Sequence, residues 1–434
     1  MASSSVTRTK SSSFLTRTKS VDELLAESRA TGEGTLRRTL GPWALVALGI
    51  GAIIGAGLFV RTAAAIADRA GPSVTLAFIV AGVGCAFAGL CYAEFASMIP
   101  VAGSAYTYSY ATMGEFLAWI IGWDLVLEYA VGAATVAIAW SEYANRVLEW
   151  FGWRIPYEWT HGPFESAAGV TGIMNVPAVF ILAILSLLLM RGTRESAFVN
   201  NIIVIVKVAI VLMVIAIGWG FINPANHTPF IPEPTTYTTP LGVTHAYGGL
   251  MGILGAAGVV FFAYIGFDAV STAAQEAKNP SRDMPIGILG SLVICTVLYV
   301  LFAYVLSGVA SVEDFRSTGR EASVAFAISK YMTGYEWLSR GVTIAILAGF
   351  SSVILVMLLG QSRVFYSMSK DGLVPKVFSD LHPVYRTPYK SNILFFAFTA
   401  AFAAFVPGDI VGEMTSIGTL LAFILVCAGV WLMR

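Results

Sequence analysis

Long apolar segments alternate with short polar ones from about residue 42 to the end of the chain. About ten of them approach or exceed the ~20 residues that an α-helix needs to cross roughly 30 Å of hydrocarbon. The pattern therefore predicts an all-α polytopic membrane protein of about ten transmembrane helices. In chain order the predicted helices are Pro42–Thr62, Pro72–Ala96, Phe116–Arg146, Val176–Met190, Ala197–Phe221, Tyr247–Gln275, Pro285–Val309, Leu338–Ser369, Asn392–Val406 and Val411–Met433.

The start of the chain differs from the rest. Residues 1–41 are rich in Ser, Thr, Lys and Arg and lack the apolar core of a signal peptide. We predict a cytoplasmic tail with a short amphipathic helix near Val21 to Ser28, followed by a core over residues 42–434. With this orientation Arg191 lies in a cytoplasmic loop, whereas the loop 222–246, which has no Lys or Arg, lies outside. The arrangement agrees with the positive-inside rule. One loop is an exception and contains acidic residues as well as the basic residues Arg316, Arg320, Lys330 and Arg340.

Composition supports a membrane protein and excludes several functions. Hydrophobic residues make up 57% of the chain and charged residues 12%, with a mean hydropathy of +0.75. The formal net charge of zero gives no support for nucleic-acid binding. The four cysteines lie in apolar segments without metal-site spacing, and the four histidines lie in loops or at helix ends. We therefore predict neither an enzyme nor a bound metal or cofactor, and no helix shows the polar stripe of a channel pore.

The first predicted helix contains four glycines within nine residues, Gly49, Gly51, Gly55 and Gly57. Each glycine inside a helix costs about 1 kcal/mol relative to alanine. One explanation is close packing of helices, since Gly51 and Gly55 form a G-x-x-x-G pattern. The alternative is a helix that breaks at Gly55-Ala56-Gly57. Free backbone N–H and C=O groups at membrane depth are tolerated only in a cavity or inside the protein.

The sixth predicted helix is interrupted in a similar way, with Gly258 and Gly266 followed by Asp268. Helices one and six each begin a set of five helices, over residues 42–221 and 247–433, and the two sets have opposite orientations. Such paired interruptions indicate an inverted-repeat transporter with a site near the bilayer midplane. Free amides suit a carboxylate and unwound carbonyls suit an ammonium. The predicted ligand is therefore a zwitterionic α-amino acid.

Four motifs of the sequence resemble those of a known family. They read G-I-G-A-I-I-G-A-G-L-F-V (49–60), C-Y-A-E-F-A-S-M-I-P-V-A-G-S-A-Y-T-Y-S-Y (91–110), G-F-D-A-V-S-T-A-A-Q-E-A-K-N-P-S-R-D-M-P (266–285) and G-Q-S-R-V-F-Y-S-M-S-K-D-G-L-V-P (360–375). Together they resemble the amino-acid permeases of the APC superfamily, closest to the cationic amino acid transporter branch and its bacterial proton-coupled relatives. The resemblance implies amino-acid import on a LeuT-type five-plus-five fold. The family usually has two further helices, which we expect to be absent because the chain stops at Arg434.

The resemblance also implies a substrate site at the two interruptions. The backbone amides of Ala56 and Gly57, next to Gly55, would bind the substrate carboxylate. Phe262 would act as an aromatic gate. The substrate amine would contact backbone carbonyls of Ile53, Ile54, Phe262 and Ile265.

Lys207 lies about halfway along predicted helix five, too far from either end to reach the interface. An ionisable group at this depth is functional by default, and a buried lysine can exchange a proton at physiological pH. The resemblance implies a proton-coupling role, because bacterial relatives place a lysine where sodium-coupled cousins bind a cation. Alternatively, Lys207 is a fixed charge that ties helix five to helices one and eight. Ser351 and Ser352 could either contact Lys207 or bind sodium.

Three further residues are candidates for the side-chain pocket or gate, namely Glu128, Asp268 and Met357. Glu128 lies four residues after Asp124, so both share one face of helix three. It could recognise a cationic side chain or act as a polar tether between helices, and we favour the tether. Asp268 could cap or brace the helix-one backbone after the helix-six break.

Several functional alternatives stay open from the sequence. The expected partners are an amino acid, a proton and membrane lipid, at the plasma membrane, and an accessory subunit is undetermined. A sensor on a transporter scaffold would retain the same binding site without moving the ligand. Sodium-coupled or exchange transport is the alternative mechanism. The sequence does not separate small neutral from cationic substrates.

Overall fold

The structure is a computed structural model that describes residues 17–29, 38–55, 57–167, 169–239, 244–317 and 323–434. Most of these residues are helical. The α-helices are α1 (Val21–Arg29), α2 (Pro42–Ile53), α3 (Thr62–Ala65), α4 (Val74–Met98), α5 (Ala105–Thr112), α6 (Glu115–Leu125), α7 (Gly132–Glu149), α8 (Val176–Arg191), α9 (Thr193–Gly218), α10 (Gly249–Phe261), α11 (Pro280–Val309), α12 (Val312–Ser317), α13 (Ser323–Tyr331), α14 (Glu336–Lys370), α15 (Tyr389–Phe405) and α16 (Gly408–Met433).

Other helical turns extend or interrupt these helices. The π-helical turns are Gly57–Arg61, Ile66–Ala70 and Val126–Val131. The 3-10 turns are Gly71–Ser73, Tyr157–Trp159, Trp219–Phe221, Pro224–His227, Phe262–Tyr264, Asp268–Glu276 and Lys376–Ser379. Two antiparallel hairpins are formed by β1 (Ser166–Ala167) with β2 (Val170–Thr171), and by β3 (Thr235–Thr238) with β4 (Thr244–Tyr247).

Several helices are suited to a lipid bilayer. Among the described residues, six helical stretches are long and apolar enough to cross a membrane, and four shorter apolar helices accompany them. Large apolar side chains point outward along these helices, for example Phe87, Ile205 and Val293, which are 68%, 68% and 61% exposed. An apolar surface of this extent is stable against lipid but not against water. The prediction of a mostly helical integral membrane protein is therefore confirmed.

The two first glycines of α2 serve close helix packing. A Cβ at Gly49 would lie 2.3 Å from Ser291 Oγ of α11, and a Cβ at Gly51 would lie 2.3 Å from Asn200 Oδ1 of α9. Asn200 Nδ2 in turn donates a hydrogen bond to the carbonyl of Ala47 at 3.1 Å. Small residues thus let α9 and α11 approach the α2 backbone, as is typical of membrane helices.

At the face of the protein where α2 begins, buried polar contacts connect segments that are distant along the chain. Arg363 of α14 donates from Nε and Nη2 to Glu276 Oε1 at 3.0 and 2.7 Å, and both side chains are at most 1% exposed. Lys19 forms an ion pair with Asp371, which also accepts a hydrogen bond from Tyr106 at 2.7 Å. Removing one partner of a buried ion pair costs about 3–5 kcal/mol, because the other charge is left buried without compensation.

On the opposite face, Arg316 connects three segments. Its guanidinium lies 4.0 Å from the ring centroid of Tyr237 in β3 and 4.8 Å from that of Tyr247 in β4. Its Nε donates a hydrogen bond to the carbonyl of Ala67 at 2.9 Å. The β3–β4 hairpin is thereby attached to the π-helical turn Ile66–Ala70.

Candidate functional site

Helix α2 ends in the interior of the protein, in the region where the sequence predicts a break. Its last residue is Ile53, and Ile54 has an extended backbone (φ −76°, ψ 101°). The chain becomes helical again at the π-helical turn that begins with Gly57. Gly55 lies between the two segments, and Ala56 lies outside the described residues. The described residues on either side therefore show an interrupted helix one.

The helix that begins with α10 is interrupted as well. After the 3-10 turn Phe262–Tyr264, Ile265 is not helical (φ −55°, ψ 134°) and Gly266 has φ +113°. A Cβ at Gly266 would lie 2.9 Å from the Cβ of Ala52 and 3.1 Å from its carbonyl carbon and oxygen. Glycine is required here both by the positive φ and by the close approach to the α2 backbone.

The two interruptions contact each other directly. A Cβ at Gly57 would lie 2.2 Å from the Cα of Ala263, so the two backbones touch. Tyr299 of α11 connects them further, because its hydroxyl lies 2.9 Å from the carbonyl oxygens of both Ile53 and Ala263. Tyr299 is fully buried. One hydroxyl thus contacts an acceptor of each interrupted helix.

We expect Tyr299→Phe to weaken the link between the two interruptions. The variant removes the hydroxyl that serves two buried carbonyls, and leaving such groups without a partner costs about 1–3 kcal/mol. The expected result is a lower thermal stability and a rise of about tenfold in the substrate KM. Thermal unfolding of the purified protein and substrate uptake by proteoliposomes measure the two effects.

Tyr264→Phe is the matched control for this variant. Tyr264 is also fully buried and packs against Tyr299, but its hydroxyl donates to Phe78 of α4 at 2.9 Å. The Tyr264 hydroxyl therefore contacts neither of the two carbonyls that Tyr299 contacts. We expect Tyr264→Phe to lower stability without the change in KM, and equal changes in KM for the two variants would contradict the role assigned to Tyr299.

Lys207 of α9 is completely buried and reaches the end of α2. Its Nζ donates to the carbonyl oxygens of Gly51 and Ile54 at 2.9 and 2.8 Å, and to Ser352 Oγ at 2.7 Å. All three donors of the ammonium thus have an acceptor. Ser352 Oγ also lies 2.6 Å from the Gly51 carbonyl. The side chain therefore joins α9, α14 and the break in helix one.

A cavity lies where the two interruptions meet. Predicted substrate residues that line it are Ile53, Gly55, Gly57, Phe262, Ile265 and Met357. The remaining lining consists of Ala52, Gly132, Thr135, Val136, Val353 and Thr415. No charged side chain belongs to the lining among the described residues. The cavity therefore combines backbone groups at two helix breaks with an otherwise mainly apolar wall.

Some predicted site residues have other contacts. The carbonyls of Ile53 and Ile54, expected to accept from a substrate amine, accept hydrogen bonds from Tyr299 and Lys207. Ile54 is not part of the described cavity lining. Of the two serines proposed as partners of Lys207, Ser352 contacts it, whereas Ser351 Oγ accepts from Trp140 Nε1 at 3.0 Å.

Glu128 and Asp268 do not belong to the described lining of the cavity. Both side chains are completely buried. Asp268 Oδ2 accepts a hydrogen bond from Tyr129 of helix three at 2.5 Å, whereas the sequence suggested a brace to helix one. Glu128 lies in the π-helical turn before α7, and α16 packs on its backbone at Gly418, where a Cβ would lie 3.3 Å from Glu128 N.

Sequence reasoning missed the part of the cavity formed by helix three and α16. Gly132 and Val136 are four residues apart, and Gly132 follows Glu128 by four, so they extend along the helix face already noted for Glu128. That spacing was an available signal. Thr415 carried none, because only the packing of α16 against helix three brings it to the cavity.

Two interrupted helices that meet at a cavity are typical of membrane transporters with broken helices. Comparison with known proteins gives the family. The family model described as amino acid permease matches residues 40–434. The chain therefore belongs to the amino acid permeases, within the APC superfamily, whose members are transporters rather than enzymes.

Similar proteins come from bacteria and plants. The chain is 42% identical to a branched-chain amino acid permease of Bacillus subtilis (strain 168) over 418 residues, which cover 96% of this chain and 85% of that protein. It is 38% identical to a methylthioribose transporter of the same organism, covering 97% and 86%. A chloroplastic cationic amino acid transporter of Arabidopsis thaliana is 40% identical over 82% of this chain and 59% of its own length.

Proposed function

We propose that this protein is a secondary active transporter that imports neutral amino acids together with protons. The observation that carries the proposal is the cavity between the two interrupted helices, where backbone groups and apolar side chains meet. Broken-helix transporters bind their substrates at such positions. The similarity to a protein named as a branched-chain amino acid permease supports an amino acid as substrate.

The two charged groups of an amino acid would be recognised by the backbone. We assign the substrate carboxylate to the amides at Ala56 and Gly57, since the start of a helical segment carries a partial positive charge. The ammonium would contact the carbonyls of Phe262 and Ile265. Those of Ile53 and Ile54 already accept from the side chains of Tyr299 and Lys207, whereas the Phe262 carbonyl accepts a long backbone hydrogen bond from Ile265 N at 3.4 Å. Helix six would thus supply the ammonium contacts and helix one the carboxylate contacts.

Proton coupling would depend on Lys207. Its ammonium holds two helix-one carbonyls at the edge of the substrate site, so loss of its proton would weaken the contacts that fix the break. The same carbonyls and Ser352 would be the natural ligands of a sodium ion. Because the Lys207 ammonium already occupies them, this arrangement favours protons over sodium as the coupling ion.

We propose that transport proceeds by alternating access around this cavity. The two sets of helices over residues 42–221 and 247–433 would form inverted repeats of a five-plus-five core, preceded by a cytoplasmic tail over residues 1–41. The buried Arg363–Glu276 pair would close the cytoplasmic exit while the opposite side is open. The positive-inside rule supports this orientation, and we assign the protein to the plasma membrane.

A test at Glu128 distinguishes transport of neutral amino acids from transport of cationic amino acids. Because the Glu128 carboxyl does not belong to the described cavity lining, we expect arginine and lysine not to compete with labelled leucine for uptake. Glu128→Gln should keep the leucine KM within about threefold of the wild type, as expected for a tether outside the binding site. Competition assays on proteoliposomes of both proteins measure this. Arginine competition that is present in the wild type and lost in Glu128→Gln would contradict the tether role.

The proposed function is tested by uptake of radiolabelled amino acids into liposomes that contain the purified protein. Imposed pH and sodium gradients are applied separately, and unlabelled methylthioribose is included as a competitor. We expect accumulation of neutral amino acids that follows the pH gradient and does not respond to sodium. Methylthioribose should not compete, because it lacks the carboxylate and ammonium that the backbone groups would bind.

Each alternative gives a different result in the same assay. A sensor on a transporter scaffold would bind amino acids without any uptake or counterflow. A sodium-coupled transporter would respond to the sodium gradient, and an exchanger would show counterflow without gradient-driven accumulation. Any of these three outcomes would contradict proton-coupled import.

A further inference from the structure

The short helix α5 is well buried at the face where α2 begins, which the proposed orientation makes cytoplasmic. It lies between the membrane helices α4 and α6, and its side chains Tyr106 and Tyr108 have no exposed surface. Ser104, which precedes α5, has φ +50° although it is not glycine. Such a backbone persists only where the surrounding structure fixes it. The contacts around α5 therefore hold it in one position.

α5 packs against the part of helix six that follows the break. The Ser271 hydroxyl, in the 3-10 turn Asp268–Glu276, donates to Ser104 Oγ at 2.8 Å. Both side chains are completely buried. This turn leads from the break at Gly266 to the residues that precede α11. A movement that opens this side of the protein must therefore separate α5 from helix six or move both together.

Residues 17–24, called the tail segment below, contact α5 and its neighbour α6. The amide of Lys19 donates to the carbonyl of Tyr110 in α5 at 3.2 Å. The amide of Glu115, where α6 begins, donates to the carbonyl of Arg17 at 2.8 Å. The Arg17 guanidinium also lies 3.8 Å from Glu115 Oε2. Backbone hydrogen bonds thus join the tail segment to both helices.

Lys19 connects the tail segment to a third element. Its ammonium forms an ion pair with Asp371, the residue after α14, and Tyr106 of α5 donates to the other carboxylate oxygen at 2.7 Å. The side chains of Lys19 and Asp371 are 12% and 9% exposed. Salt and water screen such a shielded pair less than a pair at the surface. One carboxylate therefore joins the tail segment and α5 to the end of α14.

The rest of the tail segment is fixed as well. Ser20 and Glu23 form a capping box at the start of α1, with reciprocal hydrogen bonds of 3.3 and 3.2 Å. Leu24 is 1% exposed and belongs to the hydrophobic core. Contacts on both sides of Lys19 thus hold its ammonium at Asp371.

We infer that the tail segment is a latch, in which the Lys19–Asp371 ion pair holds α5 on the end of α14 and must open before substrate leaves toward the cytoplasm. The inference rests on the proposed alternating access. It goes beyond that proposal by giving a segment outside the membrane helices a role in the transport cycle. While the ion pair is formed, the tail segment, α5 and α14 are connected. When it opens, α5 can move together with the adjoining part of helix six.

Lys19→Gln tests the latch through the accessibility of a cysteine introduced by Ser271→Cys, a position buried against the entry of α5. A membrane-impermeant maleimide is added to the cytoplasmic side of vesicles that contain the full chain. The signal of the native cysteines, measured without Ser271→Cys, is subtracted. A hydrogen bond to a charged group changes an equilibrium about tenfold or more, so Lys19→Gln should raise the labelling rate about tenfold. The KM for external leucine should rise by up to about tenfold, because fewer molecules face outward.

Asp371→Asn tests the same ion pair from the side of α14, even if Lys19→Gln does not fold. It should raise the labelling rate about as much as Lys19→Gln does. The double variant should label no faster than either single variant, because both substitutions remove the same interaction. A double variant that labels at the product of the two single effects would overturn the inference.

Lys390→Gln is the matched control. Lys390 forms an ion pair of 2.6 Å with Asp380, which joins the start of α15 to the loop before it on the same face of the protein. Its loss should leave the labelling rate unchanged. An unchanged rate in Lys19→Gln, or an equal rise in Lys390→Gln, would overturn the latch while uptake by the wild type still supports the proposed function. A folded wild type that transports no amino acid would overturn the proposed function, whatever the labelling rates are.

Discussion

Lys207→Ala will abolish pH-gradient-driven accumulation of substrate while the protein still binds it. In the wild type the ammonium donates to Gly51, Ile54 and Ser352 at 2.7–2.9 Å. Hydrogen bonds to charged groups contribute about 1.5–3 kcal/mol each. Loss of even one of these hydrogen bonds from the coupled state changes an equilibrium constant about tenfold. Gradient-driven uptake should therefore fall at least about tenfold. Uptake with an imposed pH gradient is compared with substrate-induced thermal stabilisation.

Asn200→Ala is the matched control for Lys207. Asn200 is on the same helix and also donates to a carbonyl of α2, that of Ala47, but it carries no exchangeable charge. If Lys207 only ties the helices together, both variants should reduce uptake in the same way. We expect Asn200→Ala to keep its response to the pH gradient. Undiminished gradient-driven uptake by Lys207→Ala would contradict proton coupling at this residue.

Gly57→Ala will prevent the two interrupted helices from meeting. The new Cβ would lie 2.2 Å from Ala263 Cα and 2.9 Å from Ala263 N. Both are backbone atoms and cannot rotate away. Overpacking a well-packed site with flexible neighbours costs about 1–3 kcal/mol, and we expect a larger loss of unfolding free energy here, together with loss of uptake. Thermal unfolding and proteoliposome uptake are the measurements.

Gly258→Ala is the control for this variant. Gly258 lies in α10, one turn before the interruption, and a Cβ there would meet no atom within 4 Å. Alanine should stabilise the helix by about 0.5–1 kcal/mol and leave uptake intact. A Gly57→Ala protein with wild-type stability and uptake would show that the two breaks do not pack as described.

The position of the helix-one break was predictable because its signal is local. Glycine is unfavourable in a helix interior wherever it occurs, so the cluster around Gly55 indicates either close helix packing or an interruption. The paired cluster in helix six favoured the interruption. The membrane helices were predictable for a similar reason, since apolar length along the chain is sufficient. The depth of Lys207 followed from its position within such a helix.

Contacts between helices were much harder to predict. The sequence did not show which of the adjacent residues Ser351 and Ser352 faces Lys207, because the rotation of α14 decides it. Backbone acceptors carry no residue-type signal, so the use of the Ile53 carbonyl by Tyr299 was not predicted. The prediction for Asp268 missed its contact with Tyr129 because the packing of helix three on helix six has no local pattern.

The side-chain part of the cavity was missed for a combined reason. Gly132 lines the cavity beside Thr415, and Thr415 lies far away along the chain. The π-helical turn that precedes Gly132 changes the helix phase, so the spacing of Glu128, Gly132 and Val136 alone did not show that this face lines the cavity. The backbone part of the site can thus be expected from the sequence, whereas the side-chain part of the cavity requires the structure.

The central claim is that the two helix breaks together bind the carboxylate and the ammonium of one amino acid. The most direct test is competition against labelled leucine uptake by 4-methylpentanoate, which lacks the ammonium, and by 3-methylbutylamine, which lacks the carboxylate. A site built from hydrogen-bonding groups rejects analogues that leave those groups unpaired by large factors. We predict that unlabelled leucine competes and that both analogues are weaker by at least about 100-fold. Competition by either analogue at the same concentration as leucine would contradict the claim.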